Sequence, residues 1–391
     1  MNDQDLSSSV ANTEPIHLEP GETANVELEL RVFDMHIVQA LNEGIKRLED
    51  ILVLRVEGGR DHFVPVRAEW STSSLGRSID KLIRIPEGGI RRLQSQRPDS
   101  NKGVQSASHP RSGSGSTKSA TSNNSSRVSL DEAPVRFSAP RELFRLTEAV
   151  EELSARVIAE HEMTASEDSP SPPWRSHPAW PFDAASWAEQ GTEQWNNALS
   201  DACNALDEDT PLEPALDPAL PKLQRLHVLA SLLLTFLASL TDGIVPAPLW
   251  PALDSYLADA ERTKRRPSLE EERTALQELL LSHASASHSI SFVLITSMLD
   301  RLVQETHPAA REAQLPEPPT SPSRLAMAMP FRRLGKLPAA PEREVAAQAL
   351  ARVFAPVVVR AEAPAGEKAR ALLERRRGEV VEVFLRREGQ A

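Results

Sequence analysis

Ten histidines and a single cysteine are the side chains from which a catalytic or metal site could be built. None of the histidines stands in an HExxH motif, and no two are four residues apart on one predicted helix, so the usual helical zinc arrangement is absent. His283 and His288 are five apart and straddle a Ser/Ala break. His227 lies in an otherwise apolar stretch and reads as a satisfied core or rim histidine. Cys203 stands alone, which excludes an internal disulfide framework and any multi-cysteine zinc site; it reads as a small buried hydrophobe. There is no GxSxG nucleophile turn. Gly113-Ser114-Gly115 is not a phosphate loop, because no strand precedes it, no helix follows, and no GKS or GKT closes it. No cofactor and no metal ion is expected.

The elements that would position any site fall into two kinds. From Val26 to Val32 the residues Val26, Leu28, Leu30 and Val32 alternate with Glu27, Glu29 and Arg31, the period of a strand with one wet face. Ile51–Val56 is nearly continuous apolar and Asp61–Trp70 alternates again; Gly58-Gly59-Arg60-Asp61 between them is a hairpin signal. Three sequential strands predict part of an antiparallel sandwich. Beyond residue 134 the period changes to three and four. Leu143, Leu146, Val150, Leu153 and Val157 follow Pro140, and further helices are predicted over 184–206, 222–240, 247–260, 268–283, 289–305, 342–360 and 367–387. Ser268 with Glu271 fits a capping box.

Composition sets limits on both halves. Residues 1–14 and the Ser-rich stretch 94–134 have too little to bury to offset ordering entropy and are expected to be disordered; Pro-rich loops are expected at about 163–183 and 308–323. The net charge of −12 argues against a nucleic-acid partner, since phosphate contacts need concentrated Lys and Arg. The polar stretch 1–13 lacks the apolar run of a signal peptide. The longest apolar run, Leu226–Leu240, falls short of the roughly twenty residues that span a bilayer, which predicts a cytoplasmic chain.

The string LEPGETANVELEL, followed by LEDILVLRVEGGRDHFVPV and then Ser73-Ser74-Leu75-Gly76, resembles the ASH domain of OCRL-type inositol polyphosphate 5-phosphatases, an immunoglobulin-like module downstream of the phosphatase. Leu48-Glu49-Asp50-Ile51-Leu52-Val53-Leu54 is its most specific part. The resemblance covers the C-terminal half of such a domain, assigned to residues 15–93, and implies that the earlier strands and the phosphatase domain lie upstream of Met1. It also implies a second domain over 135–391: PRELFRLTEAVEEL, HVLASLLLTFLASLTDGIVPAPLW, HSISFVLITSMLDRLV and LARVFAPVVVR are similar, in that order, to four helical segments of a RhoGAP domain. The expected fold is thus a partial β-sandwich joined by a linker to an all-α RhoGAP-like body.

An active RhoGAP supplies an arginine finger from a Gly-flanked loop after its first helix, worth about 10³ to 10⁵ in rate, or roughly 4 to 7 kcal/mol of barrier. Between Met163 and Pro221 the one Lys or Arg is Arg175, in Pro-Pro-Trp-Arg-Ser-His-Pro, without a flanking glycine and among eleven Asp and Glu. Two further family positions depart from the pattern. Leu234 stands where an active domain has Lys, and Val357 where it has Asn. Arg175 is therefore a weak finger candidate, and the expectation is a non-enzymatic domain, with an active RhoGAP using Arg175 as the alternative.

The resemblance further implies partners. In the family the ASH segment binds Rab GTPases through residues after its last strand, which places Trp70, Leu75 and Gly76 in that role; Trp70 reads equally as a cap on the sandwich core. Rho-type GTPases would meet the helical body. The family's helical domain receives Phe-His adaptor peptides in a groove, with Phe144 on its aromatic position, although a Phe at that spacing reads as plain core. Peripheral association with endosomal or Golgi membranes through such partners is the implied setting.

Overall fold

The computed structural model describes residues 16–26, 30, 32, 34–95, 137–164, 171–263, 267–307 and 340–386. The expected disorder at 1–14, most of the linker, the loop at 308–323 and residues 27–29 and 31 of the first predicted strand lie outside these residues.

Among the described residues the chain begins with a short helix, α1 (Met35–Asn42), N-capped by the Asp34 carboxylate on the His36 N–H at 2.7 Å. A two-stranded antiparallel hairpin follows, β1 (Leu48–Leu54) and β2 (His62–Ala68), in the register Leu48 opposite Ala68 through Leu54 opposite His62. Its turn forms where the glycines predict it, with Gly58 at φ +73° and the Gly59 N–H on the Val56 carbonyl.

Among the described residues the expected sandwich is represented by this hairpin alone. The described residues hold two strands, and Val26, Leu30 and Val32 are outside regular structure. Every residue of β1 except Leu48, and every residue of β2, is exposed. Alternation reports that a strand has an apolar face; it does not report that anything covers it.

The rest is helical: α2 (Ile79–Leu82), α3 (Gly89–Ser95), α4 (Arg141–Thr164), α5 (Pro173–Ser176), α6 (Glu193–Asp207), α7 (Leu212–Ala215), α8 (Lys222–Ser239), α9 (Trp250–Thr263), α10 (Leu269–His283), α11 (Ala286–Thr306), α12 (Ala340–Val358) and α13 (Glu367–Leu385). α8 is the axis, with α4, α6 and α12 against it and α11 closing the far side of α4. Its run of Leu226, Leu229, Leu233 and Phe236 is fully buried, as are Leu143, Leu146 and Val150 of α4 and Phe292 and Ile295 of α11. Each such side chain contributes about 1.5–3 kcal/mol relative to exposure. The capping box forms at Ser268 and Glu271. α6 starts later than its pattern predicts, because Asp183 caps a separate 3₁₀ turn at Ala184–Ser186 and Thr192 then caps the helix.

The segment between the hairpin and α3 packs with the helices. Ile79, Leu82, Ile83, Ile85 and Ile90 join the same core as the helices. This stretch, expected to belong to the sandwich side, is packed as part of the helical body.

Candidate functional site

The start of α4 carries an open apolar surface of the helical body. Leu143 and Leu146 point inward, so Phe144, one residue and about 100° further round, points out; it is 52% exposed. Thr147 Oγ1 donates to the Phe144 carbonyl at 2.9 Å, and the Phe144 N–H reaches the Pro140 carbonyl, which fixes the first turn. Beside it runs α11, parallel to α4, presenting Ile290 and Leu294. Together with Phe137, Ser138, Ala139 and Arg141 they line a groove of about 500 Å³. Phe144 is therefore not plain core. The signal was available in the sequence, because the inward stripe runs through Leu143.

Arg141 closes one end of the groove and ties it to the rest of the body. Its guanidinium holds the Asp209 carboxylate at 2.5 Å and Glu87 at 3.8 Å, and Arg145 holds the other Asp209 oxygen at 2.6 Å. Burial pushes Asp209 up, but the Gly88 N–H and the two arginines outweigh it and hold the carboxyl below its ordinary range. Asp209 itself sits in the left-handed region at φ 59° past the end of α6, where a short polar side chain is tolerated.

The residues assigned to GTPase binding stand at a clasp joining α1 to the helical body. Asn42, the last residue of α1, accepts the Trp70 indole N–H at 3.1 Å and the Ser73 N–H at 2.9 Å, and donates to the Leu75 carbonyl at 2.9 Å. Trp70 is half-buried beside Asn42. Leu75 packs against the helical core instead of standing proud of it. Gly76 has φ +73°, and a Cβ there would come within 2.9 Å of Gln39 Cγ, so a side chain would open the contact with α1.

Below the clasp lies a buried carboxylate. Asp207 Oδ1 accepts the Ser74 N–H at 2.8 Å, the Ser74 hydroxyl at 2.7 Å and the Ser73 hydroxyl at 3.3 Å, while Arg91 reaches Oδ2 at 3.5 Å. Burial raises its pKa and these donors pull it back down. Nearby, burial lifts Glu142 to about 7 against the bond from its own backbone N–H, with Asp207 and Asp209 adding to the rise. Burial and Asp207 push the Cys203 thiol up to about 12, far from any nucleophilic range.

Arg175 lies elsewhere, on α5, a single turn with an exposed arginine between anchored aromatics. Trp174 is buried, with its ring 5.3 Å from both His161 and Trp180; Trp180 is fully buried, and Phe182 meets Phe354 of α12 edge-on at 4.6 Å. The loop is pinned on both sides of the arginine. Leu234 of α8 and Val357 of α12 pack against the core, so the two positions that depart from the RhoGAP pattern are apolar packing residues. The structure brings Arg141 and Phe144 together and Trp70, Leu75 and Gly76 together; Arg175 stands with neither group. Asn42, Asp207 and Arg141 escaped the sequence reading, and no spacing could have revealed them, since Asp207 lies 133 positions from Ser74.

No helix among the described residues is long and apolar enough to cross a membrane. Residues 1–70 match the family model described as inositol polyphosphate 5-phosphatase OCRL-like, ASH domain. This supports an OCRL-type 5-phosphatase family region at the start of the chain, and the domain so identified is a non-catalytic interaction module.

Proposed function

We propose that the chain is a non-catalytic interaction region of an OCRL-type 5-phosphatase, acting in membrane trafficking by docking adaptor peptides and small GTPases. The observation that carries this reading is the groove between α4 and α11: a Phe at 52% exposure, flanked by Ile290 and Leu294, on helices that each bury a stripe in the core. A ring-sized apolar side chain of a short Phe-His peptide would find there the aromatic and aliphatic walls that anchor interfaces. The clasp at Trp70, Leu75 and Gly76 is the proposed meeting place for a Rab GTPase, with the helical, RhoGAP-like body available to a Rho-type GTPase without accelerating hydrolysis. The pinned loop around Arg175 and the apolar Leu234 and Val357 support the non-catalytic side of this reading.

The test is fluorescence anisotropy with a labelled Phe-His peptide against the full chain and against Phe144→Asp. Binding should weaken at least tenfold in the variant while the far-UV dichroism and unfolding midpoint stay unchanged. No binding to the unaltered chain, or equal binding by both, would remove the groove from the account. A parallel measurement of GTP hydrolysis by Rho-type GTPases, with Arg175→Ala as control, addresses the enzymatic alternative.

A further inference from the structure

The connection between α9 and α10 carries a motif that the peptide-docking reading leaves unused. Arg265-Arg266-Pro267-Ser268-Leu269 sets two arginines two and three positions before a serine and an apolar residue just after it, and Arg-Arg-x-Ser occurs nowhere else in the sequence. We propose that Ser268 is a phosphorylation site, modified by a serine kinase whose substrate groove is acidic. It is independent of the groove at Phe144 and of the clasp. The arginines are what points to a kinase. A serine followed three positions later by Glu271 is needed by the capping box alone, and a cation at the end of α9 complements the helix dipole only in the last turn, where Arg262 already stands. Arg265 and Arg266 lie past Thr263, the last residue of α9, so neither helix accounts for them. Two guanidinium groups at fixed spacing from a hydroxyl are read by carboxylates that accept from both, the kind of charge pattern by which kinases choose substrates.

The structure presents this serine in a form that a cleft for extended peptides can take. Ser268 is exposed, at φ −62° and ψ 157°, and the ring of Pro267 fixes φ at about −65° just before it, so the acceptor is extended and its approach is stiff. Only Leu269, half-buried, lies inside the helix. To seat it the first turn of α10 opens, and what is lost is the capping box: the Glu271 N–H on Ser268 Oγ at 3.2 Å and the Ser268 N–H on Glu271 Oε2 at 3.0 Å. Both bonds are exposed, at a helix end that opens more readily than the core. In the transfer Ser268 Oγ bonds to the γ-phosphorus of ATP as the bond from that phosphorus to ADP breaks, and the hydroxyl proton goes to the kinase's catalytic carboxylate. The phosphate then carries a charge of about −1.5 to −2 at pH 7. First-turn N–H groups favour it, whereas Glu270, Glu271 and Glu272 repel it. Glu271 is the one that shares the cap, so its carboxylate is displaced from the Ser268 N–H. Modification exchanges a reciprocal box for a phosphate cap.

The test treats the full chain with Mg²⁺, ATP and a basophilic kinase selective for Arg-Arg-x-Ser, and in parallel with an acidophilic kinase that reads Ser-x-x-Glu; tandem mass spectrometry then locates the modified residue. Ser268 should be the chief site for the basophilic enzyme. The variant carrying both Arg265→Ala and Arg266→Ala keeps the capping box, and its rate of modification at Ser268 should fall at least about tenfold with an unchanged far-UV dichroism spectrum. Ser268→Asn, which keeps a capping side chain but no hydroxyl, should lose the label. A chain left unlabelled at Ser268 would overturn the proposal, and so would labelling indifferent to the two arginines. Faster labelling of Ser268 by the acidophilic enzyme would do the same, since the capping box and not the arginines would then be what is read.

Discussion

The hairpin and the helical body are built from equally apolar residues and treat them in opposite ways. Phe63 of β2 is 68% exposed, and Phe354 of α12 is not exposed at all. Leu54 and Val53 of β1 face solvent, while Leu229 and Val228 of α8 see none. The difference is one of layers. A helix in the body meets neighbours on several sides and buries a stripe against each. The hairpin has two faces and two edges and, among the described residues, no second layer. What separates the regions is not hydrophobicity but the supply of surfaces to pack against, and an apolar surface without one is where an interaction protein meets its partners.

The largest expected effect tests the buried side of this comparison. Phe354→Ala removes a ring that packs edge-on against Phe182 and so ties α12 to the aromatic loop that carries Arg175. The loss should be about 3–5 kcal/mol, the cost of a buried phenyl group plus the cavity it leaves. Denaturant unfolding followed by tryptophan fluorescence reads it directly, because Trp180 and Trp174 report from that loop. A loss below about 1 kcal/mol would mean that the core relaxes around the gap and that the loop is not pinned as described.

A second, smaller effect concerns charge at the seam where the clasp segment joins the body. Glu142 has a folded pKa of about 7, above the ordinary carboxylate value of 4.5. Its proton is held more tightly in the folded chain than in the unfolded one. The stability it contributes is therefore fully present below about pH 4.5 and falls away as pH rises to 7, after which the curve is flat with respect to this group. Glu142→Gln cannot ionise. Relative to the unaltered chain it should be more stable by about 3 kcal/mol at pH 8 and unchanged near pH 4. The comparison is made by chemical denaturation at both values. A variant that is less stable at pH 8 would show that the ionised carboxylate has a partner, such as Arg141 turned away from Asp209.

Much of the body was legible in the sequence, and the reason is physical. The stripe Leu143, Leu146, Val150, Leu153 repeats at the helical period, and the hairpin announced itself through Gly58-Gly59. The same reasoning could not see the clasp. Asn42 is unremarkable at the end of a short helix, and Asp207 looks like one more acid in a loop rich in them until Ser73 and Ser74 fold over it. Gly89 marks the place in hindsight: at φ +75° its missing Cβ leaves room for the Asp207 carbonyl, which a side chain would meet at 2.2 Å. Phe144 lay between the two cases. Its neighbours fixed its direction, but its residue type pulled the reading toward the core. Covering layers are the least legible feature, because alternation in β1 and β2 is the same whether a second sheet is present or not.

The smallest expected effect is the one that would most change the comparison. Phe63→Ser removes the same ring as the first variant, from a side chain that keeps two thirds of its surface in water. The helical body should unfold with a midpoint within about 0.5 kcal/mol of the unaltered chain, as for other surface substitutions away from structured contacts. The hairpin has little to lose, because neither face of β2 touches the core. If the variant instead lowers global stability by more than about 1 kcal/mol, Phe63 must be covered in solution by some part of the chain, and the hairpin would then be a layer of the fold in the same sense as α8. The two phenylalanines thus bracket the molecule: the energy difference between losing one and losing the other measures how far the hairpin stands outside the cooperative body.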